Sequence, residues 1–281
     1  MVVEAFREVG VKEKMTTDRL ASALESIGEI QGRMTGKRLA VFLDYDGTLT
    51  PIVERPEQAV LSAETREVVE DLASLCPLAV ISGRDLRDVR DLVGIKGIYY
   101  AGSHGFDIAG PAGHHISVRQ GEEFLPQLDE LEIRLRDRLR TVDGSEIERK
   151  TFSIAVHYRR VASGHAAEVE RVVDEELAKS PQLRKTLGKK VFDLQPRIDW
   201  HKGKALIHLL NVLHLDGADV LPIFLGDDLT DEDAFESIAG RGIGIVVRDE
   251  VRPTAAQFAL ESAAEVRRFL EVFAKILREQ G

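Results

Sequence analysis

The stretch Leu39-Ala40-Val41-Phe42-Leu43-Asp44-Tyr45-Asp46-Gly47-Thr48-Leu49-Thr50 decides the fold of this chain. Its leading apolar residues are typical of a strand that is buried on both faces, as in a parallel sheet covered by helices. The apolar run stops at two carboxylates, Asp44 and Asp46, and a glycine then permits a turn. Because ligands bind beyond the carboxyl ends of strands in open parallel sheets, we expect both carboxylates to line a crevice.

These two carboxylates repel each other unless a cation, a proton or hydrogen-bond donors compensate their charge. A hard divalent cation such as Mg²⁺ prefers oxygen ligands and would keep Asp44 ionised as a nucleophile. A helix-loop-helix calcium site fits poorly, because its loop carries a third acidic or amide ligand and follows a helix. The sequence therefore predicts a magnesium site at the end of this strand.

The length and charge of the chain narrow the classes of function. A chain of 281 residues favours two modules that share one site. A net charge of -10 argues against a nucleic-acid partner and against binding to an anionic membrane. The oligomeric state stays open, with a monomer favoured. Cys76 alone offers neither a disulfide nor a zinc site, and no apolar run is long enough to span a bilayer, so we expect a cytoplasmic protein.

Two further predicted strands also end in small polar turns. The apolar run 78–81 precedes Ser82, Gly83 and Arg84, which offer a hydroxyl donor, a closely approachable backbone and a fork of guanidinium donors for a phosphoryl group. Ser82 has an alternative role as the cap of a helix predicted over 86–93. The run 98–101 precedes His104, which lies between glycines and either contacts a ligand or has a structural role.

The periodicity changes near Asp107, and we expect an α+β insert over 108–195 that covers the crevice as a cap. Helices are predicted over 122–139 and 165–177, and the alternation of residues in 152–159 favours an antiparallel sheet with one covered face. The core then comprises 37–107 and 196–281. Residues 1–36 are predicted to be a helical extension, with an amphipathic helix over 17–34.

Two more candidate residues follow the insert. Lys202 precedes a predicted helix, and an ammonium group near a helix amino end suits a phosphate clamp. The strand predicted over 220–225 ends at Asp227, which should emerge beside Asp44 and begins an acidic run. Such a run can also be a solvated helix start, and the residues alone do not rank Asp228 against Asp231 as a second metal contact.

In order along the chain, these segments resemble the haloacid-dehalogenase-like (HAD) phosphatases, in the form used by trehalose-6-phosphate phosphatases. The matching segments are Asp44-Tyr45-Asp46-Gly47-Thr48-Leu49-Thr50-Pro51-Ile52, Ala101-Gly102-Ser103-His104-Gly105, Lys202-Gly203 and Gly226-Asp227-Asp228-Leu229-Thr230-Asp231-Glu232. The resemblance runs from about residue 37 to the last helix. It implies an α/β fold: a HAD-like doubly wound parallel-sheet core with an inserted α+β cap domain.

The resemblance also implies a mechanism. Asp44 would attack phosphorus to form an aspartyl phosphate, and Asp46 would protonate the leaving sugar oxygen and later activate water. Mg²⁺ would be held by Asp44, the backbone carbonyl of Asp46, and Asp227. Ser82 and Lys202 would stabilise charge on the transferring group.

Sugar recognition is implied in the cap. The segment Glu148-Arg149-Lys150 resembles the Glu-x-Lys motif that grips sugar hydroxyls in these phosphatases, although charges at a turn are often merely solvated. The chain departs from its relatives at Asp193 and Gln195, where Glu and Arg are common. The substrate expected first is trehalose 6-phosphate, a small sugar phosphate of trehalose biosynthesis. The alternatives are a phosphatase for another glycosyl phosphate such as glucosylglycerol phosphate, a non-catalytic sugar-phosphate sensor and, least favoured, a phosphomutase.

Overall fold

A computed structural model describes residues 14–111, 115–116, 121–162, 164–188 and 190–280. Its strands, in chain order, are β1 (Met15–Thr16), β2 (Ala21–Ser22), β3 (Arg38–Leu43), β4 (Leu78–Ile81), β5 (Tyr99–Gly102), β6 (Asp107–Ala109), β7 (His115–Ile116), β8 (Glu146–Arg149), β9 (Ile154–His157), β10 (Leu183–Gly188), β11 (Val191–Pro196), β12 (Val220–Gly226), β13 (Ile243–Val247), β14 (Pro253–Thr254) and β15 (Phe258–Leu260). Its α-helices are α1 (Ile27–Met34), α2 (Ala63–Ala73), α3 (Leu86–Val93), α4 (Leu125–Leu139), α5 (Ala166–Leu177), α6 (Lys202–Val212), α7 (Leu229–Ser237) and α8 (Ala263–Gln280).

The main sheet has the strand order β2-β15-β13-β12-β3-β4-β5-β6-β7. Neighbouring strands are parallel from β2 to β5, and β6 and β7 extend the sheet in antiparallel pairing. The predicted strand β3 therefore lies near the middle of the sheet, where it forms backbone hydrogen bonds with β12 on one side and β4 on the other. Such central strands can be continuously apolar because helices cover both of their faces.

Alternate side chains of β3 enter different halves of the core. Val41 and Leu43 pack with residues of α2, α3 and α8 on one face. Ala40 and Phe42 pack with residues of α6 and α7 on the other face. The predicted α/β class, with a doubly wound parallel-sheet core and an inserted α+β cap, is confirmed.

The cap has its own sheet and its own core. Its four antiparallel strands have the order β10-β11-β9-β8. Ile154 and Val156 of β9 pack against α4 and α5 in a separate apolar cluster. The opposite face of this sheet points toward the carboxyl ends of the main-sheet strands, because several of its residues line the same cleft as Asp46 and Lys202.

The helix predicted over 17–34 is wrong in its first half, since α1 begins only at Ile27. Residues 1–13 of the predicted helical extension lie outside the described residues. Long-range hydrogen bonds explain the difference: β2 pairs with β15, and the Thr17 amide donates to the carbonyl oxygen of Arg252 at 2.9 Å. The regularly spaced apolar residues of this segment pack against the sheet and do not form one face of a helix.

The predicted start of the cap at residue 108 also differs from the structure. Strand β6 begins at Asp107 and pairs with β5, so it belongs to the main sheet together with β7. Strand β10 was not predicted, because its sequence Leu183-Arg184-Lys185-Thr186-Leu187-Gly188 is too polar to stand out as a strand. Among the described residues, no helix combines the length and apolarity needed to cross a lipid bilayer.

Candidate active site

The predicted core-site residues converge at the carboxyl-terminal edge of the main sheet. Asp44 follows β3, Asp227 follows β12, Ser82 follows β4 and His104 follows β5. Because β12, β3, β4 and β5 are consecutive neighbours in the sheet, their carboxyl ends form one row. The topology therefore brings together side chains that are far apart in the sequence.

Lys202 is buried and bonds to two carboxylates. Its Nζ donates to Oδ1 of Asp44 and to Oδ1 of Asp231, both at 2.7 Å. Burial favours the neutral amine, but the charges of Asp231 and Asp44 outweigh burial and raise the pKa of Lys202 above its ordinary value. Burial also raises the pKa of Asp44, and the nearby Lys202 charge acts in the opposite direction. The ammonium group is thus held as a cation at the foot of the crevice.

Asp44, Asp227 and Asp231 form a group of buried carboxylates. Each offers an oxygen, and these oxygens lie within 4.8 Å of one another. Gly47 adopts φ +87°, and a Cβ at its position would lie 2.0 Å from Oδ2 of Asp227, so only glycine lets this loop pass the carboxylate. Three hard oxygen donors this close together suit a divalent cation such as Mg²⁺.

Asp231 has a second role that the sequence did not reveal. The Oδ2 atom of Asp231 accepts hydrogen bonds from the backbone amides of Asp227 and Asp228, each at 2.9 Å, while its Oδ1 atom accepts one from Lys202. Asp228 caps α7 and forms a capping box with Asp231. Asp231 is therefore tied to its own loop and to Lys202, and it fixes the direction of both.

The carboxylate of Asp46 lies apart from the other three and pairs with Arg84. Both Asp46 oxygens accept from the guanidinium group, Oδ2 from Nε and Oδ1 from Nη2, at 2.7 Å each. Arg84 is buried, whereas the Asp46 side chain is 36% exposed and lines the cleft. Arg84 was predicted to contact substrate; it lines the cleft, and four of its five N–H donors bond to protein acceptors.

The turn after β4 packs against the His104 ring. A Cβ at Gly83 would lie 2.8 Å from Cε1 of His104, so this turn needs glycine. Ser82 does not cap α3, since its Oγ accepts from the amide of Arg84 at 3.1 Å and Asp85 is the N-cap residue. His104 is itself in the left-handed region with φ +57°. Burial lowers the pKa of His104 to about 4, so its ring is neutral at pH 7.

The cap contributes a row of side chains across its sheet. Glu148 of β8 and Asp193 of β11 are both aligned with Ala155 of β9, and Thr186 of β10 is aligned with Asp193. Glu148, Thr186 and Asp193 all line the cleft. The small Ala155 side chain between the two acids leaves a concave polar surface above the core residues.

Charges within this row hold one another in place. Glu148 and Nε2 of His157 share a hydrogen bond of 2.9 Å. Burial opposes ionisation of Glu148, but the His157 hydrogen bond and the Lys150 charge outweigh it and lower the pKa of Glu148 to about 2. The Nζ of Lys150 donates to the Gly83 carbonyl at 3.0 Å and lies 3.5 Å from Oδ1 of Asp193.

Two buried polar atoms of the site make no hydrogen bond within the described part of the chain. They are Oδ1 of Asp193 and Nε2 of His104. The closest approach of the His104 ring nitrogen to Asp193 is 4.0 Å, to Oδ2. Both residues line the cleft, so a ligand bound there would lie beside two buried polar groups.

Asp85 joins the cap to the core and was missed in the sequence. Its carboxylate accepts from the backbone amide of Thr151 at 2.8 and 3.1 Å and from Oγ of Ser103 at 3.0 Å. It sits at the N-cap of α3, yet its side chain makes no capping bond there. The sequence signal was available, because Asp85 directly follows the predicted Ser82-Gly83-Arg84 turn.

Comparison with known proteins agrees with this arrangement. The family model described as trehalose-phosphatase matches residues 42–264. The chain is 43% identical over 286 residues to the trehalose-phosphate phosphatase of Mycobacterium tuberculosis, covering 99% of this chain and 72% of that protein. It is 44% identical over 276 residues to probable trehalose-phosphate phosphatase 2 of Oryza sativa subsp. japonica, covering 90% and 72% respectively.

Solved structures share the fold. The C-terminal domain of C. albicans trehalose-6-phosphate phosphatase superposes with a TM-score of 0.77 at 22% identity, covering 92% of this chain and 99% of that one. A haloacid dehalogenase-like hydrolase from Bacteroides thetaiotaomicron gives a TM-score of 0.60 at 17% identity, covering 84% and 99%. The family match spans both the strand ends of the candidate site and the cap, and the chain belongs to the trehalose-phosphatase family.

Proposed function

We propose that this chain hydrolyses trehalose 6-phosphate to trehalose and phosphate, as a step of trehalose biosynthesis. Family membership and relatives of that name over nearly the whole chain support the proposal. One observation carries it within the molecule: Lys202, which donates to the buried Asp44, lines a single cleft together with Glu148 and Asp193 of the cap row. That cleft offers a charged centre for a phosphoryl group and a polar surface for a sugar.

The proposed reaction has two steps on Asp44. The Asp44 carboxylate attacks phosphorus to form an aspartyl phosphate, and Asp46 donates a proton to the sugar oxygen as its bond to phosphorus breaks. Asp46 then takes a proton from the water that attacks the aspartyl phosphate. Phosphate leaves, and the Asp44 carboxylate and the Asp46 proton are both restored. Lys202 and Ser82 would stabilise charge on the transferring group.

Mg²⁺ is the proposed cofactor. Asp44, Asp227 and the backbone carbonyl of Asp46 would hold it, and Asp231 would orient the loop that carries Asp227. When bound, the ion would offset the repulsion between the Asp44 carboxylate and the phosphate dianion. The close grouping of the three buried carboxylates supports this assignment.

Sugar recognition is proposed for the cap and the neighbouring turns. Glu148 and Lys150 would bind sugar hydroxyls, and Gly83 and His104 would border the reacting end of the sugar. Nε2 of His104 and Oδ1 of Asp193 support this, since both are buried without a hydrogen bond within the described residues and both residues line the cleft. Because a dianionic sugar phosphate does not cross a bilayer unaided, we propose the cytoplasm as the compartment.

A second glycosyl phosphate is kept as an alternative substrate. Asp193 and Gln195 stand where the resemblance implies Glu and Arg, and within the described residues the Gln195 side chain makes one long contact of 3.4 Å, to Oγ1 of Thr186. The Asp193 side chain is shorter than that of Glu, and its Oδ1 lies 3.5 Å from Nζ of Lys150. The shorter side chain would leave room for a differently shaped sugar phosphate, such as glucosylglycerol phosphate.

The test is phosphate release from trehalose 6-phosphate, glucosylglycerol phosphate and simple hexose phosphates, with Mg²⁺ or with excess chelator. Wild type should release phosphate from trehalose 6-phosphate preferentially and only with the metal. Asp44→Asn should lose at least about 10³-fold in kcat, because the amide is not a nucleophile. Asp91→Asn, an exposed carboxylate on α3, should retain wild-type activity.

Other results of this test would assign the protein a different substrate or a different function. A preference for another glycosyl phosphate would keep the mechanism and replace the substrate. Binding of sugar phosphates without turnover would favour the sensor, a role compatible with the fold.

A further inference from the structure

The guanidinium group of Arg84 is surrounded by protein acceptors. Besides its two bonds to Asp46, its Nη1 donates to Oδ2 of Asp88 at 2.9 Å. Its Nη2 also donates to the backbone carbonyl of Pro56 at 2.7 Å. An arginine has five N–H donors, and four of them are used by these three partners. Little donor capacity is left for a substrate phosphate.

The surroundings of Arg84 hold it still. The residue is 8% exposed, and its guanidinium carbon lies 5.5 Å from the centre of the Tyr45 ring. That ring is itself fixed, because the Tyr45 hydroxyl donates to the carbonyl of Ala59 at 2.6 Å. A buried arginine with this many partners has few other rotamers available, so it acts as a rigid fork.

A rigid fork fixes the plane of the carboxylate that it grips. Two parallel N–H···O bonds define both the position and the tilt of Asp46. A carboxylate has about four lone-pair sites, and Arg84 takes two of them. The other sites remain for the cleft, which Asp46 lines. The direction in which Asp46 can deliver or accept a proton is therefore set by Arg84.

We infer that Arg84 is a positioning residue for the general acid Asp46 and is not a ligand of the substrate phosphate. Asp88 and the Pro56 carbonyl hold Arg84, and Arg84 holds Asp46. The inference rests on the proposed reaction, in which Asp46 protonates the leaving oxygen.

The test compares leaving groups that do and do not need a proton. The value of kcat/KM reports the steps up to phosphoryl transfer to Asp44, whatever the rate of aspartyl-phosphate hydrolysis. A sugar oxygen needs a proton to leave, whereas p-nitrophenolate is a stable anion and leaves without one. In Arg84→Lys and Arg84→Gln, kcat/KM should fall about 10²-fold for the sugar phosphate. For p-nitrophenyl phosphate it should change less than about threefold.

Equal losses on both substrates would overturn the inference, because a phosphate ligand or a general structural defect affects both alike. No loss on either would overturn it too. Arg87→Lys is the matched control, since Arg87 lies on α3, just after Arg84, with its side chain 94% exposed, and it should behave as wild type.

A second variant covers the case in which the Arg84 variants fail to fold. Asp88 does not line the cleft among the described residues and contacts Nη1 of Arg84. Asp88→Asn should lose kcat/KM about three- to tenfold for the sugar phosphate and leave p-nitrophenyl phosphate unchanged. A loss of the same size on both substrates would count against the inference.

The two proposals can fail separately. If wild type prefers another sugar phosphate, that compound replaces trehalose 6-phosphate in the comparison, and only the substrate proposal fails. If wild type hydrolyses aryl phosphates alone, phenyl phosphate supplies the more basic leaving group, and the selective loss is measured on it against p-nitrophenyl phosphate.

Discussion

The ammonium group of Lys202 allows two buried carboxylates, Asp44 and Asp231, to lie side by side. Removing a charge from water costs several kcal/mol, and attraction to a partner offsets that cost only with good geometry. Both Nζ–O distances are 2.7 Å. Substituting Lys202 would therefore disturb folding together with catalysis. His104 offers a simpler test of burial at the same site.

The burial of His104 should make the stability of the protein depend on pH. The folded state holds this ring neutral with a pKa of about 4, against 6.5 for a free histidine. Its contribution to stability is complete above pH 6.5 and is lost as the pH falls toward 4, because the unfolded chain binds the proton first. Between pH 7 and 4.5, wild type should lose about 2–3 kcal/mol more unfolding free energy than His104→Asn.

Urea denaturation at a series of pH values measures this difference. Asparagine tolerates the left-handed backbone that His104 adopts at φ +57°. His214 provides the control, because it has φ +54° but is exposed, and His214→Asn should follow the wild-type pH curve. Parallel curves for wild type and His104→Asn would show that the ring is not held neutral by the fold.

At the scale of elements, the cap is docked through the connection between β8 and β9. Lys150 and Thr151 in this connection bond to the turn between β4 and α3, at Gly83 and Asp85. Four aromatic and aliphatic residues pack at the junction where the chain enters and leaves the cap: Phe106, Phe152, Trp200 and Ala205. The polar contacts therefore fix the cap over the cleft, while the apolar cluster joins it to the core.

Removing the Asp85 carboxylate should weaken substrate binding as well as folding. Asp85→Ala loses the bonds to the Thr151 amide and the Ser103 hydroxyl, and hydrogen bonds to a charged group contribute about 1.5–3 kcal/mol. We expect KM for the sugar phosphate to rise about tenfold, because the cap row is no longer held over the reacting centre. Steady-state kinetics and a thermal melt measure the two effects.

Asp91→Ala is the matched control for this change, since Asp91 is an exposed acid on the same helix. Its KM should equal that of wild type. An unchanged KM in Asp85→Ala, with or without a lower melting temperature, would mean that the Thr151 contact does not hold the cap in its binding position.

Helices and strands were predictable where the local sequence pattern is compatible with only one type of secondary structure. The apolar runs of β3, β4 and β12 have no amphipathic alternative, so they identified the central strands. The segment 17–26 has helical spacing, but pairing with β15 and bonding to Arg252 decided its structure. Strand β10 is stabilised by its partner β11 and not by its own apolar content. Long-range pairing of this kind leaves little trace in the local sequence.

The active site was predictable as a set of strand ends and not as a set of contacts. Asp44, Asp46, Lys202 and Asp227 follow from motifs at predicted element ends. The direction of the Arg84 side chain does not, because it depends on Asp46 and Pro56, which are distant in the sequence and are brought near only by the fold. The tie of Asp231 to Lys202 is hidden for the same reason.

At the scale of the whole molecule, the grouped carboxylates should make stability depend on Mg²⁺. An ion that binds only the folded state adds about 2.7 kcal/mol at a concentration one hundred times its dissociation constant. Wild type should therefore melt at a higher temperature with Mg²⁺ than with chelator. Asp227→Asn should lose this shift, because one of the three grouped carboxylates becomes neutral.

Scanning calorimetry with Mg²⁺ or chelator checks the prediction. In chelator, Asp227→Asn should melt no lower than wild type, because Asp227 no longer repels the Asp44 charge. Asp219→Asn, an exposed acid that pairs with Arg38 at the other end of β3, should keep the full Mg²⁺ shift. Equal shifts in wild type and Asp227→Asn would place the ion elsewhere.

The amino-terminal strands set a limit on how far the protein can be shortened for engineering. Thr17 donates to the Glu250 carbonyl at 2.7 Å, and its own hydroxyl accepts from the amide of Arg252 at 3.3 Å. Arg252 in turn donates to the Asp227 carbonyl at 3.0 Å. A minimal version trimmed to the start of β3 would keep every motif, yet it would bare the edge of β15 and loosen the loop of Asp227.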